Sequence, residues 1–335
     1  MEKNSRNISD FQEGVAYFRH ILLLLYSSKL IMKLNIQNET ARLKTVVLGR
    51  PESIGAAPML AETYDAKSYH AVENNIYPVE KDIIREMNAF EAVLKKHGVE
   101  ILHPAPIEGC NQIFARDVAF VIEDKLVASN LIQDREAEQD AYHHVFEKIK
   151  WSNIINLPKT AHIEGGDVLV WDDFLFVGTC YSEDYRNFKT ARTNKYAIEL
   201  LKEYFPQKRI IDLNLKKNDR EPYKGVLHLD CCFNLVGRDK CIIYKNGFVN
   251  ERDYRLILDI FGETNCFQVT DQEMFEMFPN VFSIAPDLVV SDEVFTRLNR
   301  HLTEEWGIKV EEISYREISK MGGLLRCSTM PLIRE

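Results

Sequence analysis

The chain has 335 residues, 45% hydrophobic and 28% charged, a balance that suits a globular protein with a substantial core. Its formal net charge of -9 argues against nucleic acid or an anionic membrane surface as a partner. The longest early apolar stretch, Ile21 to Tyr26, falls far short of the roughly 20 residues a membrane span needs, and the seven cysteines lack CxxC or zinc-like spacing. They point to free thiols in a reducing, cytoplasmic compartment, with neither a metal nor another cofactor implied.

In chain order, acidic Glu2, Asp10 and Glu13 stand ahead of that apolar stretch, a poor match to a signal peptide. Residues 1–31 are expected to be an extension dispensable to the fold. Residues 32–335 then form a single catalytic domain, since no Pro/Ser/Gly-rich linker divides them. Residues 43–48 form the first predicted strand, stopped by Gly49-Arg50-Pro51. Apolar positions Ile83, Ile84, Met87, Phe90, Val93 and Leu94 predict an amphipathic helix over 79–97, followed by a strand over 99–102.

Three later segments repeat one layout. Arg116-Asp117 leads into a predicted hairpin turning at Glu123-Asp124; Gly166-Asp167 leads into one turning at Asp172-Asp173. Leu229-Asp230 leads into a third, turning at Gly237-Arg238-Asp239. Helical stretches follow at 134–149, 192–204 and near 250–261. A hairpin-plus-helix unit recurring every 50 to 70 residues suggests a repeat architecture closed on itself. Three acids at equivalent hairpin mouths then converge on one axis, unless each merely caps its turn.

Several residues in this frame suit chemistry. Cys327 lies in Gly322-Gly323-Leu324-Leu325-Arg326-Cys327, an apolar, glycine-hinged segment where the adjacent arginine favours a thiolate. It is either a nucleophile or a small buried hydrophobe. His228 and Asp230, two apart on a predicted strand, project to one face as a proton shuttle with its carboxylate. In Glu164-Gly165-Gly166-Asp167 two glycines between two acids either let the backbone approach a ligand or form an Asp-stabilised bulge. Arg116-Asp117 is either an ordinary ion pair or a carboxylate presented to a planar cation.

Taken together, Asn-x-x-Phe-x-Arg-Asp from Asn111, Glu-Gly-Gly-Asp from Glu164, His-Leu-Asp from His228 and the Gly-Gly-x-x-Arg-Cys-x-Thr-x-Pro ending resemble the guanidine-modifying superfamily over roughly residues 43–335. That group contains arginine deiminases, dimethylarginine dimethylaminohydrolases and amidinotransferases. The resemblance implies the pentein fold, a five-bladed α/β propeller with pseudo-fivefold symmetry. It also implies Cys327 as nucleophile, His228 as general acid/base and Glu164 as its carboxylate partner in proton handling. Asp117 and Asp230 would grip the guanidinium of a small cationic substrate, with Asp167 at the equivalent mouth between them. Asn111 and Phe114 would hold the substrate's distal end and stem, and Arg192 its carboxylate.

No segment is long enough for the helical domain that arginine deiminases add. Asp230, absent from most dimethylaminohydrolases, favours an unmethylated guanidine, because methyl groups would leave it unpaired. Glu164 stands where amidinotransferases tend to carry Asp, which favours hydrolysis over amidino transfer to an amine. A non-catalytic guanidine-binding relative and a cysteine protease are the alternatives from other classes; every catalytic-type side chain is present, against the first, and the acids and amides around the Cys–His pair are unsuited to a neutral amide carbonyl, against the second.

Overall fold

The computed structural model describes residues 31–181 and 187–335, so the extension expected over 1–31 lies almost wholly outside the described residues. Strands β1 (Leu43–Leu48) and β2 (Glu100–Leu102) run parallel, joined through the helix Glu80–Lys96. That helix places Glu80 and Asp82 in its first turn and Lys95 and Lys96 in its last, matching its dipole. It buries the predicted apolar stripe, Ile84 excepted, and with it Glu86, whose carboxylate accepts the N–H groups of Glu317 and Ile318 at 2.9 and 3.0 Å.

The predicted hairpins follow. β3 (Ala119–Ile122) and β4 (Lys125–Ala128) are antiparallel, with β5 (Ile154–Asn156) parallel to β4. β6 (Val168–Trp171), β7 (Phe174–Thr179) and β8 (Arg209–Asn214) repeat the pattern, as do β9 (Phe233–Val236), β10 (Lys240–Ile243) and β11 (Cys266–Gln268). Glu123, Asp172 and Gly237 take the left-handed backbone that tight hairpin turns require.

A further sheet absent from the sequence expectation comprises β12 (Phe282–Ala285), β13 (Leu288–Asp292) and β14 (Lys309–Ile313). β15 (Thr329–Arg334) pairs antiparallel with β1, completing five three-stranded sheets of one strand pattern and an α/β fold. In the first of these the antiparallel pair is made from segments at opposite ends of the described chain. Residues from Met32 onward are tied in by bridges to Ile149, Ile333, Glu123 and Trp171.

The helix expected over 134–149 is a 3-10 segment, Gln133–Tyr142, leading into the short helix His143–Phe146. In a 3-10 helix residues three apart eclipse, so Arg135 and Glu138 point the same way, and here that way is inward. The other two helices form at Lys195–Tyr204 and Glu251–Phe261.

Four short 3-10 turns, Ala115–Asp117, Gly165–Asp167, Leu229–Cys231 and Phe278–Asn280, precede the first strands of successive sheets. They pack on one another in that order, and the first of them also packs on β15.

Candidate active site

Each of these turns delivers a buried polar residue to one place: Asp117, Asp167, Asp230 and Asn280, with Cys327 arriving just ahead of β15. The His228 imidazole lies 2.9 Å from Glu164 Oε2 through Nε2 and 3.6 Å from Asp117 Oδ1 through Nδ1. Glycines make this approach possible. A Cβ on Gly166 would stand 2.6 Å from His228 Nδ1 and 2.9 Å from Asp117 Oδ1; one on Gly165 would collide with the Arg116 carbonyl. Phe114 lies against Gly323, where a Cβ would strike both its ring and the Cys327 side chain. The Asn111 amide accepts the Ile113 N–H and donates to the Tyr64 hydroxyl at 3.4 Å.

Two expectations are corrected by these contacts. His228 and Asp230 do not share a strand face, because they lie in and before the Leu229–Cys231 turn and β9 starts only at Phe233. The carboxylates beside His228 come instead from the neighbouring mouths, while Asp230 receives Arg326 Nη1 at 2.8 Å. Arg326, expected to favour a Cys327 thiolate, spends its guanidinium on Asp230, Glu39 and the Val168 carbonyl, and the Cys327 sulfur meets the same Asp230 oxygen at 3.5 Å. Arg192 and Asp167 make their contacts within the protein. The Arg192 guanidinium is fully buried, bonding Glu164 at 2.7 Å and the carbonyls of Tyr64 and Lys189. Asp167 is likewise occupied, accepting from Thr193 Oγ1 at 2.6 Å and the Leu229 N–H at 2.9 Å, so it holds the His228 turn in place.

Two contributors carry no signal in the motifs. Arg135 donates to Asp117 Oδ2 at 2.7 Å, pairs bidentately with Glu138, and lies 3.6 Å from Glu164. Asp117 thus already grips a planar cation, supplied by the chain itself. Asn280 clasps the cysteine, accepting the Cys327 N–H at 3.1 Å and donating to Cys327 Sγ at 3.2 Å.

The electrostatics follow from this packing. Burial pushes Glu164 upward, but Arg192, His228 and Arg135 together hold it well below the usual carboxylate range. Burial pushes His228 down, yet Asp117, Glu164 and Asp167 outweigh it and raise the imidazole above its ordinary value. A hydrogen bond with Cys231, burial and the Asp230 carboxylate hold the Cys327 thiol well above its usual range. Asp117 Oδ1, Glu164 Oε1 and His228 Nδ1 are buried without hydrogen-bond partners, an arrangement awaiting a ligand with donors or a proton. Asp117, Glu164 and His228 also bring ligand atoms within 4.8 Å of one another, a spacing that suits a metal ion as well as a guanidinium. Arg135 and Arg192 already supply positive charge beside them.

An α/β fold of five such sheets, with a buried Cys, His and three acids meeting at their mouths, defines the guanidine-modifying pentein superfamily, to which this chain belongs. Within it, the chain is a member of the family described as eukaryotic N,N dimethylarginine dimethylhydrolase, matched over residues 50–334. It is 28% identical over 303 residues to the uncharacterized protein YkgA of Bacillus subtilis, covering 89% of this chain and 94% of that one. It is 24% identical over 260 residues to the arginine deiminase of Streptococcus sanguinis, covering 67% of this chain but only 61% of that enzyme. The fold is shared with the N-terminal domain of ArgZ, a cyanobacterial arginine dihydrolase, at a TM-score of 0.70 and 17% identity over 87% of this chain and 97% of that one. It is shared equally with SxtG, an amidinotransferase from Microseira wollei, at a TM-score of 0.71 and 17% identity over 90% and 97%.

Proposed function

We propose that this protein hydrolyses a C–N bond of a small guanidino compound through a covalent thiouronium on Cys327. The observation that carries this reading is the convergence of Cys327, His228, Glu164, Asp117 and Asp230 from separate sheet mouths into one buried cluster. The five sheets are then the blades of a propeller, closed by β1 and β15 within one catalytic domain.

In the empty site the acids around Cys327 favour the neutral thiol. An entering guanidinium brings a positive charge between Asp117 and Asp230, offsets that repulsion, and lowers the cost of the thiolate at the moment it is needed. The Cys327 thiol releases its proton to water and its sulfur attacks the guanidinium carbon, while His228, charged in its carboxylate cradle, gives its proton to the departing nitrogen as the C–N bond breaks. The neutral imidazole then takes a proton from water, whose oxygen attacks the thiouronium carbon. The C–S bond breaks and the hydroxyl proton of the adduct passes to the departing sulfur, leaving a ureido product and the free thiol. Glu164 stabilises the imidazolium throughout.

Arginine, agmatine, methylarginines and guanidino acids should be tested for ammonia and amine release, with mass spectrometry of trapped Cys327. Ammonia released without an added acceptor, and an amidino adduct on Cys327, are expected. Turnover that requires an amine acceptor would replace hydrolysis with transfer; no adduct from any of them would end the reading.

The Asn280 clasp carries a separate expectation. A hydrogen bond to a charged group is worth about 1.5–3 kcal/mol, so Asn280→Ala should lower kcat by about 10- to 100-fold with little change in KM. Losing the donor raises the thiol further, so alkylation of Cys327 by iodoacetamide should need a higher pH in the variant. An unmoved alkylation profile would reduce Asn280 to a packing role.

A further inference from the structure

Two thiols that the proposed mechanism leaves unused face each other across a sheet. Cys241 in β10 and Cys266 in β11 are direct partners in the parallel ladder, and their sulfurs lie 3.3 Å apart. The contact has a direction. The Cys241 thiol donates to the Cys266 sulfur, and the Cys266 thiol donates in turn to the Gly262 carbonyl at 3.3 Å. Two small apolar side chains could fill this space without being matched in register or hydrogen-bonded.

The backbone already permits a bond between them. Neighbouring strands lie about 4.8 Å apart, within the roughly 4.4–6.8 Å that separates the Cα atoms of bonded cysteines. The two thiols also differ in character. Cys241 is fully buried, and burial holds its thiol well above the ordinary range. Cys266 lies in the edge strand and is 8% exposed. The hydrogen bond from Cys241 lowers its thiol, against the opposing effects of burial and the Glu263 carboxylate. A more acidic thiol at the rim beside a second thiol in the interior is the layout of a redox-active pair. Cys231 and Cys327 present the opposite case, because both lie against Asp230, at 3.6 and 3.5 Å, whose charge disfavours either thiolate.

We propose that Cys241 and Cys266 form an oxidation site, which a hydroperoxide closes into a disulfide joining β11 to β10. The Cys266 thiolate attacks hydrogen peroxide, the O–O bond breaks, hydroxide leaves, and the sulfur becomes a sulfenic acid. The Cys241 sulfur then attacks the Cys266 sulfur, and its proton departs with the hydroxyl group as water. The two thiols together lose two electrons, both taken up by the peroxide. A reduced dithiol reverses the change by exchange.

The bond would act where the sheet is weakest. β11 is paired on one side only, and the chain enters it from the helix Glu251–Phe261 through Gly262, at φ 81°. Such a strand opens more easily than a central one. The disulfide closes a loop between residues 25 apart, which contains that helix and holds the strand against β10. This inference does not depend on the hydrolase reading, because its readouts involve no turnover.

Peptide mapping of the reduced full chain, treated with hydrogen peroxide and then alkylated, tests it. The expected product is a peptide pair linked through Cys241 and Cys266, released by dithiothreitol. The melting temperature should rise by about 5 °C on oxidation, the scale for closing a loop of this size in a chain of this length. Cys266→Ala should abolish both the link and the rise, and Cys241→Ala should leave a Cys266 sulfenic acid that dimedone traps. Cys241 and Cys266 still alkylated after peroxide, or oxidation confined to Cys231 and Cys327, overturns the assignment. A link that leaves melting unchanged overturns the role of holding the edge strand. Mapping of wild type decides the matter even where neither variant folds.

Discussion

Replacing Cys327 by serine is expected to lower kcat on the preferred guanidine by about 10,000-fold or more, the scale seen when a covalent nucleophile is removed. A guanidinium is a poor electrophile, and the alkoxide needed from serine is far less accessible than a thiolate. The fold should survive, because the Cys327 backbone is held independently of sulfur: its N–H donates to Asn280, and its carbonyl accepts the Arg116 N–H at 3.0 Å. The variant should therefore melt within a few degrees of wild type while its covalent adduct disappears from the mass spectrum. Cys231→Ser is the matched control, since that thiol bonds the other oxygen of Asp230 and attacks nothing in this scheme. Retained turnover in Cys327→Ser, or abolished turnover in Cys231→Ser alone, would move the nucleophile elsewhere.

The largest loss of stability is expected from Arg326→Met. Arg326 is fully buried and joins two otherwise separate carboxylates, Asp230 at 2.8 Å and Glu39 at 3.0 Å. Methionine nearly fills the volume but leaves Asp230 without its buried guanidinium and takes from Glu39 the nearest of its three arginines, a cost of about 3–5 kcal/mol. Chemical denaturation should show the midpoint falling with an unchanged slope. Adding Glu39→Gln should recover part of the loss, because the two residues share one interaction and their effects do not add. The pH dependence has a definite sign. Burial raises Glu39, but Arg326, Arg116 and Arg334 bring it down from 4.5 to about 2. Its contribution is therefore complete above about pH 4.5 and lost as pH falls toward about 2. Glu39→Gln should flatten acid destabilisation in that window; a wild-type profile in the variant would mean that other carboxylates govern it.

The legible parts of this protein were those written in local pattern. Three hairpins announce themselves through alternating apolar residues and tight acidic turns, and each acid before them reaches the centre. The fourth hairpin escaped because Asn280 stands where the others carry Asp, although Phe282–Ala285 and Leu288–Asp292 have comparable strand composition. The pairing of β1 with β15 has no local signature at all, since its partners meet only in three dimensions. The arginines show a further limit. Asp134-Arg135-Glu136-Ala137-Glu138 belongs to the stretch expected as a helix, and the 3-10 turn found there aims Arg135 at Asp117. Arg326 adjoins Cys327 in sequence, yet its charge is taken up by Asp230 and Glu39, carboxylates that adjacency does not reveal.

The pairing of β1 with β15 also bears on when the proposed site is complete. Closing a contact over nearly the whole described chain costs much loop entropy and comes late in folding. During synthesis the early strand must wait, unpartnered on one side, until the segment carrying Cys327 has left the ribosome. His228, Glu164 and the acids that hold them belong to turns made earlier, so the cradle forms before the thiol arrives. A half-made chain therefore has His228 and its acids but not Cys327, and under the proposed reading completion of the first sheet is the step that arms it.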